Sequence, residues 1–152
     1  MSDKFPNNLK KSDNKINCNI TIIHSEFNSE IVNKLVEVTE KRLIEISNPD
    51  LSKISVPGAY EIPFIVKKII DTKKSDAIIC LGAIIRGETT HYELISENVF
   101  KSISKINSIG IIPVINGILT TENNAQAKER ISNGSYFADS CLRMINLNKH
   151  LT

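Results

Sequence analysis

DAIICLGAII, Asp76–Ile85, carries one charge, at its first position, and no polar side chain after it. An apolar run without alternation is the pattern of a strand buried on both faces. Such a strand needs a layer above it and a layer below it. Helical patterns stand on either side of it in the chain. Before it, Ile62, Ile65, Val66, Ile69 and Ile70 recur at the spacing of an amphipathic helix, with Pro63 tolerable in the first turn. After it, Leu94, Ile95, Val99, Ile103 and Ile106 keep the same period.

Further out the alternation continues. INCNITII (Ile16–Ile23) is β-branched and puts Ile16, Cys18, Ile20 and Ile22 on one face. A helix is predicted over about Ser29–Ile46, with Ile31, Leu35 and Val38 at helical spacing. LSKISV (Leu51–Val56) is a short second strand, stopped by Pro57-Gly58. GIIPVI (Gly110–Ile115) is the fourth strand, and Pro113 inside it predicts a sheet edge because it lacks a ladder donor. Helices over about 123–131 and 135–146 close the chain. The order βαβαβαβαα predicts an α/β, three-layer αβα, flavodoxin-like domain over 15–152, with a four-stranded parallel sheet and helices on both faces. Residues 1–14 read as a flexible tail, or as a strand lent to a neighbouring subunit.

A chain of 152 residues fits one domain with a real core. Its net charge of +2 argues against nucleic acid or an anionic membrane as main partner. No apolar run approaches the roughly 20 residues of a membrane span, and MSDKFPNNLKKSDN at the start lacks the apolar stretch of a signal peptide. Cys18, Cys80 and Cys141 are few and widely spaced, and read as small buried hydrophobes in a reducing compartment. A cytoplasmic location follows as an expectation.

In open parallel sheets, ligands bind beyond the carboxyl ends of the strands. Those ends carry His24-Ser25-Glu26-Phe27-Asn28, Pro57-Gly58-Ala59-Tyr60-Glu61, Arg86-Gly87-Glu88-Thr89-Thr90-His91, and Asn116-Gly117 with Thr120-Thr121-Glu122-Asn123 beyond. The strand starts are bland by comparison. Gly87 permits close backbone approach or positive φ. Thr89 and Thr90 stand where a helix should begin, which suits either an anion at free N–H groups or a plain threonine cap. His91 falls in the first turn, where the helix dipole disfavours imidazolium and a neutral ring can exchange a proton. Phe27 suits stacking on a flat ring or packing beneath its loop. Glu61 suits ligand hydroxyls or the helix dipole. Arg130 suits phosphate or a solvated surface.

Together these residues resemble the lumazine synthase family. The resemblance rests on Phe27-Asn28, VPGAYEIP (Val56–Pro63), LGAIIRGETTHYE (Leu81–Glu93), and NGILTTEN (Asn116–Asn123) running to Glu129-Arg130. It covers most of the chain from Lys15 onward. It implies condensation of a ribityl-substituted diaminopyrimidinedione with 3,4-dihydroxy-2-butanone 4-phosphate, with no metal or redox cofactor. By position, it implies that Phe27 stacks on the pyrimidine and that Ala59, Tyr60 and Glu61 line the ribityl chain. Ala83, Ile84 and Ile85 would meet the pyrimidine edge through backbone groups. Glu88 and Thr89 would hold the phosphate through main-chain donors, with the Glu88 carboxylate turned away. His91 would shuttle protons. Arg130 and Asn116 would come from a neighbouring subunit, Arg130 to the phosphate and Asn116 to the pyrimidine. The implied partners are small-molecule substrates, further copies of the chain as a pentamer or sixty-subunit shell, and a functional link to riboflavin synthase.

The sequence departs from the family pattern twice. Asn116 stands where many relatives have Phe. Asn133-Gly134 stands where many have Lys-Gly, after a shorter stretch from Arg130, which leaves phosphate binding more dependent on Arg130. Rival readings fare worse. A flavin or phosphate carrier would need an anion loop after the first strand, but SEFNSE holds two glutamates. A receiver domain needs an acidic cluster at strand carboxyl ends, whereas Asp76 lies at a strand start. A shell protein without catalysis would not need His91 and Arg130. No Walker or dinucleotide fingerprint is present.

Overall fold

The computed structural model describes residues 15–152, so the tail predicted over 1–14 lies outside the described residues. Four strands, β1 (Asn17–Ser25), β2 (Asn48–Val56), β3 (Ala77–Ile85) and β4 (Val114–Thr121), form one sheet. The sheet order is β2-β1-β3-β4 and every pairing is parallel. Between and after the strands come α1 (Ser29–Ile46), α2 (Ile62–Thr72), α3 (His91–Ser108), α4 (Asn124–Glu129) and α5 (Asn133–Leu151), with one 3-10 turn at Ala59–Glu61. The predicted three-layer α/β architecture is the one observed.

The two layers of core follow from strand alternation. Cys18, Ile20 and Ile22 of β1 join Ile79 and Leu81 of β3 under α1 and α5. Ile23, Ile78, Cys80 and Ile84 face the other way, under α2 and α3. β3 is buried from Ala77 to Ile84, as a central strand covered on both faces must be. The helix pair behind the sheet is tightly fitted. A Cβ on Gly134 of α5 would lie 2.8 Å from Thr39 Oγ1 and 3.0 Å from the Leu35 carbonyl of α1. A buried ion pair, Arg42 Nε to Asp139 Oδ1 at 2.7 Å, joins the same two helices, and Asp139 holds the Arg42 pKa above its ordinary value.

Strand boundaries differ from expectation at three strands. β1 runs from Asn17 to Ser25 rather than from Ile16 to Ile23, so His24 and Ser25, read from sequence as loop, are strand residues. β2 starts at Asn48, not Leu51, because the register with β1 runs from Asn17↔Asn48 onward and takes in Pro49. β2 is an edge strand, where a missing donor is tolerated. β4 is displaced more: it starts after Pro113 and reaches Thr121. Gly110, with φ +77°, closes the end of α3, and the pairing with β3 then runs from Ile78↔Val114 to Ile85↔Thr121. β4 is the other edge, but Pro113 precedes it rather than interrupting it. Asn116 and Gly117, read from sequence as a loop, are therefore strand residues level with Cys80 and Leu81. The last helices also shift: α4 is shorter than predicted and α5 longer at both ends.

Candidate active site

A cavity of about 530 Å3 opens at the carboxyl ends of β1, β2 and β3. The strand ends build it in turn. Beyond β1 the chain bends but stays tied to the end of β2, with Glu26 N–H donating to the Val56 carbonyl (2.8 Å) and Phe27 N–H to that of Pro57 (3.1 Å). Phe27 is left 72 % exposed on the cavity wall, so it is not packed beneath its loop. Beyond β2, Pro57-Gly58 leads into the 3-10 turn, which brings Ala59, Tyr60 and Glu61 to the cavity. One Glu61 carboxylate oxygen accepts from Gly58 N–H at 3.0 Å, so this side chain already has a local role at the turn. The end of β3 supplies Ala83, Ile84 and Ile85.

The β3–α3 connection adds Gly87, Thr89 and His91. α3 begins at His91, and Thr90 at its N-cap makes no side-chain cap bond. Thr89 Oγ1 accepts from His91 N–H at 3.3 Å, so the threonine cap expected as one alternative is only partly realised. Gly87 does not take positive φ, and a Cβ there would meet nothing within 4 Å. Of the two uses expected of Gly87, close backbone approach and positive φ, the second is not taken, and the space beside it is open.

Arg86 is committed elsewhere. Its Nε donates to Glu122 Oε2 at 2.7 Å, and its other end pairs closely with Glu93. Its guanidinium lies 4.5 Å from the centre of the Tyr92 ring, and the backbone N–H of Arg86 donates to the Thr121 carbonyl at 2.9 Å. Glu93, and then Glu122, raise the Arg86 pKa, while Arg86 lowers that of Glu93. This hub ties the β3–α3 connection to the end of β4. Its signal in sequence is only the spacing of one arginine and two glutamates.

Among the described residues no Lys or Arg lines the cavity. Glu88 is exposed and outside the lining. Asn116 is also outside it, on β4, where its Oδ1 accepts from Ile118 N–H at 3.1 Å. Arg130 follows α4, with its guanidinium donating to the Gln126 carbonyl at 3.1 Å, and it too is absent from the lining. The chain thus gathers Phe27, the Ala59–Glu61 turn, the end of β3, Thr89 and His91 at one place, and leaves Glu88, Asn116 and Arg130 apart. Asn28, Pro57, Tyr92 and Ile95 also line the cavity, which the reading of separate strand ends did not assign. Among the described residues no group of His, Cys, Asp and Glu has the arrangement of a metal site, and no helix is long and apolar enough to cross a membrane.

The chain was also compared with known proteins. The family described as 6,7-dimethyl-8-ribityllumazine synthase matches residues 17–149. A curated relative from Limosilactobacillus reuteri (strain DSM 20016), named 6,7-dimethyl-8-ribityllumazine synthase, is 38% identical over 137 residues, covering 87% of this chain and 90% of its own length. The match spans all four strands and all five helices but for the last two residues of α5, and on that extent the chain belongs to the 6,7-dimethyl-8-ribityllumazine synthase family.

Proposed function

We propose that the chain condenses 5-amino-6-(D-ribitylamino)uracil with 3,4-dihydroxy-2-butanone 4-phosphate to 6,7-dimethyl-8-ribityllumazine, the penultimate step of riboflavin biosynthesis. The observation that carries this reading is a single cavity lined by Phe27, Glu61, Thr89 and His91 in a chain of this family. The roles are those that the family resemblance implies, and the chemistry of each residue suits them. Phe27 offers an uncovered aromatic face to the pyrimidine. Ala59, Tyr60 and Glu61 line the ribityl chain, and the Glu61 oxygen not bonded to Gly58 accepts from its hydroxyls. Backbone groups of Ala83, Ile84 and Ile85 meet the ring edge. The N–H groups of Glu88 and Thr89, before a helix start, suit the phosphate.

The 5-amino group adds to the ketone carbon, and loss of water gives an imine. Removal of a proton beside the imine lets phosphate leave with the C–O bonding pair. Phosphate loss leaves an enol, which takes a proton at its terminal carbon and loses its hydroxyl proton to give a methyl ketone. The second nitrogen then adds to this carbonyl and a second water departs, closing the ring. His91 carries the protons of these steps. Among the described residues the cavity wall has no Lys or Arg to match the phosphate charge. We therefore assign Arg130 of a neighbouring copy to the phosphate, and Asn116 of that copy to the pyrimidine. The active unit is then a homo-oligomer, a pentamer alone or within a sixty-subunit shell, which hands its product to riboflavin synthase in the cytoplasm.

The test is product fluorescence with both substrates present. Formation faster than the spontaneous condensation is expected, and a rate equal to it would overturn the enzymatic reading.

A further inference from the structure

We propose that Asn28 is a positioning residue for the pyrimidine substrate: it sets Phe27 against the ring and ties the Phe27 turn to the strand that reads the ring edge. The inference rests on the functional reading above for the identity of the ligand. Asn28 follows Phe27 at the junction of β1 and α1, and both residues line the cavity. Its backbone is left-handed, φ 59° and ψ 42°. Only one other non-glycine residue among those described, Lys73, has positive φ. Asparagine tolerates this conformation better than most side chains. The left-handed residue ends the turn that begins at Glu26 and delivers the chain directly into α1, with Phe27 exposed at the turn.

The side chain of Asn28 is used in an unusual way. As N-cap residue its carbonyl accepts from Ile31 and Val32 N–H, both at 3.1 Å. An asparagine at that position ordinarily turns its side-chain oxygen to the first helical N–H groups. Here it makes no such cap bond. Instead Nδ2 donates to the Ala83 carbonyl of β3, 2.8 Å away and 55 residues on in sequence. The bond has two consequences. It prevents the Phe27 turn from sliding along β3. It also occupies one lone pair of the Ala83 carbonyl, so a ring N–H reading this strand finds an acceptor already engaged and oriented.

The experiment compares Asn28→Gly and Asn28→Asp, each alone and with Phe27→Ala. Glycine keeps the left-handed turn without strain and removes the bridge; aspartate keeps the shape and replaces the donor by an acceptor facing the carbonyl. Steady-state kinetics and equilibrium binding of ribitylaminouracil are measured. Both single variants are expected to raise KM and Kd for the pyrimidine about tenfold, with KM for the butanone phosphate changed less than about twofold. In the Phe27→Ala background, Asn28→Gly should add less than about a further twofold, because both changes remove the same stacking geometry. Unchanged pyrimidine binding in Asn28→Gly would overturn the proposal. So would multiplication of the two effects in the double variant, or equal losses for both substrates. A wild-type chain that binds no ribitylaminouracil would instead refute the functional reading on which the inference rests.

Discussion

His91 is the first residue of α3 and lines the cavity, and because each helical step turns a side chain by about 100°, the helix start sets which way it faces. Its backbone is held by Thr89 Oγ1 on one side and by the helix on the other. His91→Gln should lower kcat by roughly 10²-fold, the smaller end of what a positioned proton carrier contributes, while KM for either substrate stays close to wild type. Equal kcat for the two proteins, measured under saturation with both substrates, would remove His91 from the chemistry. At this scale the residue types were legible and their commitments were not. Phe27, Thr89 and His91 stand out as ligand-type groups at strand ends. Nothing in a linear sequence shows that Asn28 turns its amide to Ala83, because that bond depends on the separation of two elements far apart in the chain.

At the scale of elements, the β3–α3 connection has few ties of its own. Residues 86–91 are exposed, and Gly87 has open space beside it. Arg86 supplies what holds it, through Glu93, Glu122 and the face of Tyr92. Exposed ion pairs contribute little to global stability, so the consequence of removing them should be local. Arg86→Ala is expected to raise KM for the butanone phosphate several-fold and to leave the melting temperature within a few degrees of wild type. A large fall in melting temperature with unchanged KM would show that the hub serves the fold and not the loop. β4 shows where sequence pattern misleads at this scale. GIIPVI has the composition of a strand, but Gly110 is part of the turn leaving α3, and the strand begins only after Pro113. NGILTT looks like a turn because Asn-Gly so often is one. Gly117 is needed for a different reason: a Cβ there would lie 2.6 Å from Leu81 Cδ2 and 2.8 Å from Phe137 Cδ2, so the glycine makes room for side chains of β3 and α5.

Over the whole molecule, two properties follow from burial and assembly. His24 lies near the end of β1, and its Nδ1 is buried without a partner. Desolvation lowers its pKa below the ordinary 6.5, with Lys53 acting in the same direction. The unfolded chain therefore takes up a proton at His24 at a higher pH than the folded one. Stability should be unaffected by this group well above pH 6.5 and should fall as the pH drops from about 6.5 towards the lowered value. Thermal unfolding of wild type and His24→Gln between pH 5 and pH 8 checks this, with a flatter profile expected for the variant; parallel profiles would exclude His24 as the cause. The second property is the shared site. If Arg130 serves a neighbouring subunit, His91→Gln and Arg130→Ala chains, each nearly inactive alone, should regain activity when co-expressed. Random mixing in a ring restores about one site in four, those pairing an intact His91 with a neighbour's intact Arg130. Activity no greater than the sum of the separate variants would mean that each site is built within one chain.

The sequence by itself determined the layer architecture. β3 has no polar face, so it must be covered on both sides, and helices of the right period stand before and after it. It also determined which residue types gather at the carboxyl ends, and the long motif from Leu81 to Glu93 marked the family. Only the tertiary structure decided where β4 begins, that Asn116 sits on a strand, and that Gly87 is open and unstrained. Only the tertiary structure, too, joined Asn28 to Ala83 and Arg86 to Glu122. The physical reason is range. Periodicity and burial are local averages that a chain carries in its composition, whereas a strand register, a hydrogen bond across 55 residues or a space too small for a methyl group exists only once the distant partner is in place.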